Sequence, residues 1–174
     1  MLGGVDGRVR EWSVPRGCQV GQLLVSHQPV WSLCRLPGGR LAVGCEDGAV
    51  RLLAKAPRQG ALWEVAQVLP SPQPSRLLSL ALSPNDEQWL AAGTASGCIL
   101  LHSLKGQPQK RLVLSDDAAM VWSLAWLGDD CLAAGDSRGR VSWFDVASGT
   151  LIREAASHAA DVLCLQSLGE RLYA

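Results

Sequence analysis

Net charge is the first thing this sequence lacks: 16 Lys and Arg stand against 16 Asp and Glu in 174 residues. Neither phosphates nor anionic lipids meet a surplus of cations, which removes the simplest basis for a nucleic-acid or membrane surface. The balance conceals a polarity along the chain, with eight basic and four acidic groups in residues 1–58 and four basic and nine acidic in 112–174. Phe and Tyr occur once each against seven Trp, and the stretches that could form long helices are interrupted by some of the 18 Gly or nine Pro. An all-helical bundle is therefore not expected; strands joined by turns are.

Long hydrophobic runs are missing as well. None approaches the roughly 18 residues that span a bilayer as a helix, and residues 1–12, with Arg8, Arg10 and Glu11, have no signal-peptide apolar stretch. The reading is a cytosolic or nuclear protein with no membrane partner. Close cysteine pairs are absent too: Cys18, Cys34, Cys45, Cys98, Cys131 and Cys164 never fall at C-x-x-C spacing. Each lies in or beside an apolar strand-like run, so buried reduced thiols are expected, without disulfide, metal or cofactor.

What is present is a repeat. The runs GGVDGRVREWSV from Gly3, GCEDGAVRLLAK from Gly44, GTASGCILLHSL from Gly93 and GDSRGRVSWFDV from Gly135 share one glycine, at Gly7, Gly48, Gly97 and Gly139, spaced by 41, 49 and 42 residues. A second pattern keeps the same beat: VWSL from Val30, LLSL from Leu77, VWSL from Val121 and VLCL from Val162, with starts 47, 44 and 41 apart. Each unit reads as four short strands; in the second they cover 30–36, 40–45, 49–54 and 62–69. Turns are supplied by Pro37-Gly38-Gly39, by Ser83-Pro84-Asn85-Asp86 and by the recurrent glycine, which permits a tight hairpin. Stretches such as LAVG from Leu41 and LAAG from Leu132 are too unbroken for a one-sided surface strand and predict burial between neighbouring sheets.

Four strands per 40 to 50 residues, with Trp-Asp-like endings at Phe144-Asp145 and Trp12-Ser13, resemble the WD-repeat β-propeller family over the whole chain. The match is degenerate, since the Trp-Asp positions of the other units hold Leu53-Ala54 and His102-Ser103. The family's Gly-His element survives best as His158 followed by Asp161-Val162, more weakly as Ser26-His27; by resemblance His158 and Asp161 brace a blade. The expected fold is all-β: an incomplete propeller of three full four-stranded blades (26–69, 70–114 and 115–155) between partial blades (1–25 and 156–174). That phase, opening on a second strand and stopping within another, reads as a fragment or shortened isoform; a four-bladed ring, with 162–168 completing the first blade, is the alternative.

The ordered segments from Pro29, Ser75 and Met120 narrow the resemblance to WD-repeat subunits of the nucleolar small-subunit processome. The GCEDGxV turn and the DSxGxVxxFD run ending in Ser-Gly-Thr-Leu are its most specific marks. That resemblance implies a non-enzymatic nuclear, nucleolar scaffold whose partners are other processome subunits, with pre-rRNA reached through the assembly and 18S rRNA maturation as the outcome. A generic propeller adaptor, such as a ubiquitin-ligase receptor or signalling scaffold, is the other reading.

Catalysis is not expected. His27, His102 and His158 fall in different units, no stretch reads as a strand-to-helix elbow for a serine nucleophile, and no small-molecule substrate is implied. Asp116-Asp117 and Asp129-Asp130 read as solvated turns, because adjacent side chains on extended backbone point to opposite faces. Trp31 and Trp122, at equivalent inner-strand positions, are expected to fill the space between blades. Trp12 and Trp143 are expected to cover outer strands, and Trp63 or Trp89 to reach the surface. Partner contacts are sought in the loops before inner strands and in the glycine hairpins. That selects His27, Glu46, Asp47, Gln73, Arg76, Asp116, Asp117 and Arg138.

Overall fold

The computed structural model describes residues 1–56, 63–72, 74–84, 88–116, 118–156, 158–169 and 171–174. Asn85 and Asp86 of the predicted Ser83 turn, and Leu62 at the start of a predicted strand, lie outside the described residues. The chain divides into two compact units, Met1–Leu77 and Leu78–Ala174.

In the first unit, β1 (Leu2–Gly3), β2 (Arg8–Ser13) and β3 (Cys18–Leu24) form a three-stranded antiparallel sheet. β4 (Val30–Arg35), β5 (Leu41–Cys45), β6 (Val50–Lys55) and β7 (Trp63–Leu69) form a four-stranded one in chain order, with a 3₁₀ turn at Pro37–Gly39 between β4 and β5. β5 is the unbroken apolar LAVGC run, and Ala42, Val43 and Cys45 are fully buried, because a strand covered on both faces has no use for alternation. β7 sits on the outer edge and is largely exposed. The core joins Val9 and Val25 of the first sheet region to Val30, Val43, Cys45 and Leu53 of the second.

β8 (Leu77–Leu82), whose first residue closes the first unit, makes one four-stranded sheet with β9 (Trp89–Thr94), β10 (Cys98–Ser103) and β11 (Lys110–Val113) of the second. β12 (Val121–Leu127), β13 (Cys131–Asp136), β14 (Arg140–Asp145) and β15 (Thr150–Ala156) make the next, and β16 (Gln166–Leu168) pairs with β17 (Arg171–Tyr173). Phe144, Trp126, Trp89, Ile99, Leu101, Leu112 and Leu132 pack in one core between the two full sheets. The inner strand expected over 162–168 is shorter than predicted. Only its last three residues pair as strand, while Val162 N–H donates to the Asp136 carbonyl at 2.9 Å and Leu165 N–H to Ser123 Oγ at 2.8 Å.

The recurrent glycines are hairpin residues. Gly7, Gly48, Gly97 and Gly139 all adopt positive φ, between 69° and 81°, where a Cβ is strained. At Gly139 an added Cβ would also lie 2.2 Å from the His158 carbonyl oxygen, so the turn must pass close under the following loop.

The burial expected for Trp31 and Trp122 is corrected. β4 shifts register between Val30 and Ser32, and β12 between Val121 and Ser123, so each Trp is the bulged residue and leaves the alternation that would bury it. Trp31 is 41% exposed and Trp122 half-buried. The aromatic that fills the space between sheets is Trp126, 6% exposed, whose Nε1–H donates to the Ala81 carbonyl at 3.1 Å. Trp89 is also buried rather than at the surface, with the Lys110 ammonium 5.2 Å from its ring centroid.

Candidate protein-interaction surface

The loops carry their own chemistry. Asp47 accepts the Ala49 N–H at 3.1 Å and holds Arg51 through both carboxylate oxygens, at 3.0 and 2.7 Å. The Arg51 guanidinium keeps this carboxyl below its ordinary value. Asp6 and Arg10 repeat the arrangement in the preceding hairpin, with the same effect on Asp6. Asp136 is 1% exposed and accepts the N–H groups of Arg138 and Arg140 at 2.8 and 3.0 Å. These acids build turns, and Asp47 is engaged internally.

Glu46 has a different geometry. Its Oε2 accepts from Trp31 Nε1–H at 2.5 Å and its Oε1 from Arg76 Nε–H at 2.8 Å, while the Arg76 guanidinium carbon lies 5.9 Å from the Trp31 ring centroid. Three residues from three separate stretches of sequence therefore meet at one exposed spot. Two of them, Glu46 and Arg76, are predicted contact residues, and Trp31 is the one the sequence placed in the core.

In the second unit Asp116 and Arg138 are brought together, Nε to Oδ2 at 3.3 Å. Beside them, Arg140 Nη1–H donates to Ser115 Oγ at 3.1 Å and faces Glu154 at 3.6 Å, and the hydroxyls of Ser115 and Ser142 donate to Glu154. Trp122 Nε1–H donates to Asp161 Oδ2 at 2.9 Å. Asp161 thus braces its neighbour through a side chain, whereas His158 does so through its backbone, donating N–H to the Gly139 carbonyl at 3.1 Å with an exposed ring. His27 is exposed. Gln73 and Asp117 lie outside the described residues. Phe144 is 1% exposed, and Asp145 caps the next turn by accepting the Ser148 N–H at 2.8 Å and its hydroxyl, which lowers its carboxyl.

Sequence reasoning passed over the serine of the inner-strand pattern. Ser32 Oγ–H donates to the Leu77 carbonyl at 2.8 Å, Ser79 Oγ–H to the Val121 carbonyl at 3.1 Å, and Ser123 Oγ accepts the Leu165 N–H. Each hydroxyl staples one inner segment to the next, and the signal was a Ser at the third position of VWSL, LLSL and VWSL. It also passed over a spelling: Gly135-Asp136-Ser137-Arg138-Gly139 matches the Gly-x-Ser-x-Gly of a nucleophile elbow. The run joins β13 to β14 as a strand-to-strand hairpin, and Ser137 Oγ accepts the Met120 N–H at 3.0 Å. A nucleophile elbow is a strand-to-helix turn and this is a hairpin between strands, so the match is one of letters.

With four-stranded antiparallel sheets, a regular beat and shared glycine hairpins in place, the class is defined: this is a WD-repeat β-propeller fold with an incomplete set of blades. The WD domain, G-beta repeat model matches residues 18–52. The crystal structure of the Myceliophteria thermophila Cps50 (Swd1) β-propeller domain superposes with a TM-score of 0.71 at 21% identity, covering 95% of this chain and 54% of that one.

The particular resemblance, to cirhin, falls on the relatives as well. The chain is homologous to the human U3 small nucleolar RNA-associated protein 4 homolog, 31% identical over 142 residues, 77% of this chain and 20% of that protein. It is 28% identical over 173 residues to the Saccharomyces cerevisiae U3 small nucleolar RNA-associated protein 4, which takes in 90% of this chain and 21% of that protein. The chain thus spans about a fifth of the length of the curated relatives it matches.

Proposed function

We propose that the chain acts as a non-enzymatic WD-repeat scaffold in ribosome biogenesis, within small-subunit processome assembly and maturation of 18S rRNA. The observation that carries this reading is homology over 77% to 90% of the chain to proteins named for association with U3 small nucleolar RNA. The surface chemistry supports it: the polar clusters form turns, inter-sheet staples and exposed contacts. We assign partner contact to the loops with His27, Glu46 and Arg76 in the first unit and Asp116 and Arg138 in the second, and nucleolar residence to the protein. Other processome subunits are the partners, and pre-rRNA is reached through them.

Depletion followed by northern analysis of rRNA precursors tests this. Loss of 18S rRNA with large-subunit rRNA retained, and nucleolar staining of the tagged protein, are the expected results. Normal 18S levels after complete depletion would falsify the ribosome-assembly reading and favour a generic adaptor. The 174-residue chain alone should rescue poorly, because attachment to several partners at once needs contact loops held in one geometry.

A further inference from the structure

We propose that Trp31, Arg76 and Glu46 form a preorganised clamp for a protein partner that presents a carboxylate beside an apolar side chain. The inference takes from the scaffold reading only the premise that the chain binds proteins.

The geometry begins with the bulge in β4, which turns the Trp31 indole out of the sheet and leaves it 41% exposed. An exposed indole on a loose rotamer would lose entropy on binding. Here its N–H is tied to Glu46 Oε2, so the flat apolar face is fixed in advance. Arg76 is tied to the other oxygen of the same carboxylate through Nε. Its side chain is 52% exposed, and among the described residues no hydrogen bond is found from its two terminal nitrogens. The open edge of a guanidinium is a planar pair of donors that matches a carboxylate bidentately. The guanidinium lies over one face of the indole, its carbon 5.9 Å from the ring centroid, and Trp and Arg are the residue types that dominate protein interface energetics.

The corresponding place in the second unit shows that this is not simply a consequence of the fold. The residue preceding the next inner-strand pattern is Arg76 opposite Trp31 and Asp161 opposite Trp122. Asp161 takes the Trp122 N–H directly, and no cation stacks on that ring among the described residues. At this place in the repeat the outward cation is thus found beside Trp31 and not beside Trp122. Its ligand is a protein rather than a nucleic-acid backbone, because Glu46 with Arg76 and Asp47 with Arg51 leave the neighbourhood without net charge. A phosphate chain needs a surplus of cations along its track, whereas one carboxylate needs one fork.

The test uses the 174-residue chain and reads the indole N–H resonance of Trp31, assigned by its loss in Trp31→Phe. The probes are a blocked Leu-Glu-Leu-Glu peptide, its Leu-Lys-Leu-Lys counterpart and oligouridine. The acidic peptide should shift the Trp31 resonance saturably and leave that of Trp143 in place. Arg76→Lys, which keeps charge but not the fork, should weaken binding several-fold. Arg76→Glu should weaken it at least tenfold and let the Lys peptide bind instead, a reversal that a merely misfolded variant cannot produce. Equal response to both peptides, no reversal in Arg76→Glu, or displacement of the acidic peptide by oligouridine at Trp31 overturns the proposal. Because the titration involves no ribosomal component, a normal 18S level together with peptide binding would sink the pathway and keep the clamp.

Discussion

At the scale of single residues, two tryptophans of one strand, β12, differ in burial. Trp126 is buried between sheets with its N–H on a carbonyl, and Trp126→Ala should cost about 3 to 5 kcal/mol, the range for emptying a large aromatic site. Trp122 is half-buried at a bulge, and Trp122→Ala should cost about 1 to 2 kcal/mol, the loss of one hydrogen bond and part of a ring's burial. Urea denaturation of the two variants compares them; equal losses would show that the bulge does not decide burial. His102 offers a second reading at this scale. It is 5% exposed, and burial lowers its pKa from 6.5 to about 4. The unfolded chain protonates at the ordinary value while the folded one resists, so stability present above pH 6.5 is lost as pH falls toward about 4. The full effect is on the order of 3 kcal/mol. Stability of the second unit measured from pH 7 to pH 4 should fall in that window and flatten in His102→Asn; an unchanged slope in the variant would rule out His102 as the cause.

At the scale of elements, the hairpin and the inter-sheet staple do the positioning. Gly139 and Gly149 share positive φ, 76° and 73°, but only Gly139 has a backbone oxygen within 2.2 Å of an added Cβ, whereas Gly149 meets nothing closer than 3.7 Å. Gly149→Ala should therefore cost about 1 kcal/mol, the strain of a left-handed alanine, and Gly139→Ala clearly more, since the 158–160 loop must move. Thermal midpoints of the two variants give the ranking, and a reversal would mean that loop yields freely. Ser79 and Ser123 act on the same scale: each binds backbone of the following inner segment, so one hydroxyl sets how closely consecutive segments lie.

At the scale of the whole molecule, burial is uneven. In the second unit Leu127, Cys131, Trp143, Ile152, Arg153 and Leu172 line a cleft of about 450 Å³, and Leu163, Leu168 and Tyr173 are each at least half exposed. β17 is paired on one side only in its two-stranded sheet. Apolar side chains next to an unpaired strand edge favour association. The 174-residue chain in isolation should bind a hydrophobic dye and increase in mass with concentration in light scattering; a concentration-independent monomer without dye binding would contradict this. Such surface does not weaken the functional reading, since a scaffold acts through the surfaces it covers on partners.

The amino-acid order by itself determined the class of fold. Glycines 41 to 49 residues apart need positive φ, unbroken apolar runs need two covered faces, and both demands are local, so they can be read before any contact is known. The same locality made Glu46 and Arg76 legible as loop residues. Tertiary structure alone decided where Trp31 points, because a bulge depends on register with β5 and alternation along one strand cannot reveal it. It alone joined Trp31, Glu46 and Arg76, which are separated by 15 and 30 positions, and alone showed that Ser32, Ser79 and Ser123 reach 42 to 45 residues along the chain. Those distances close only when consecutive sheets pack, and packing is set by the combined shapes of many side chains rather than by any one stretch of sequence.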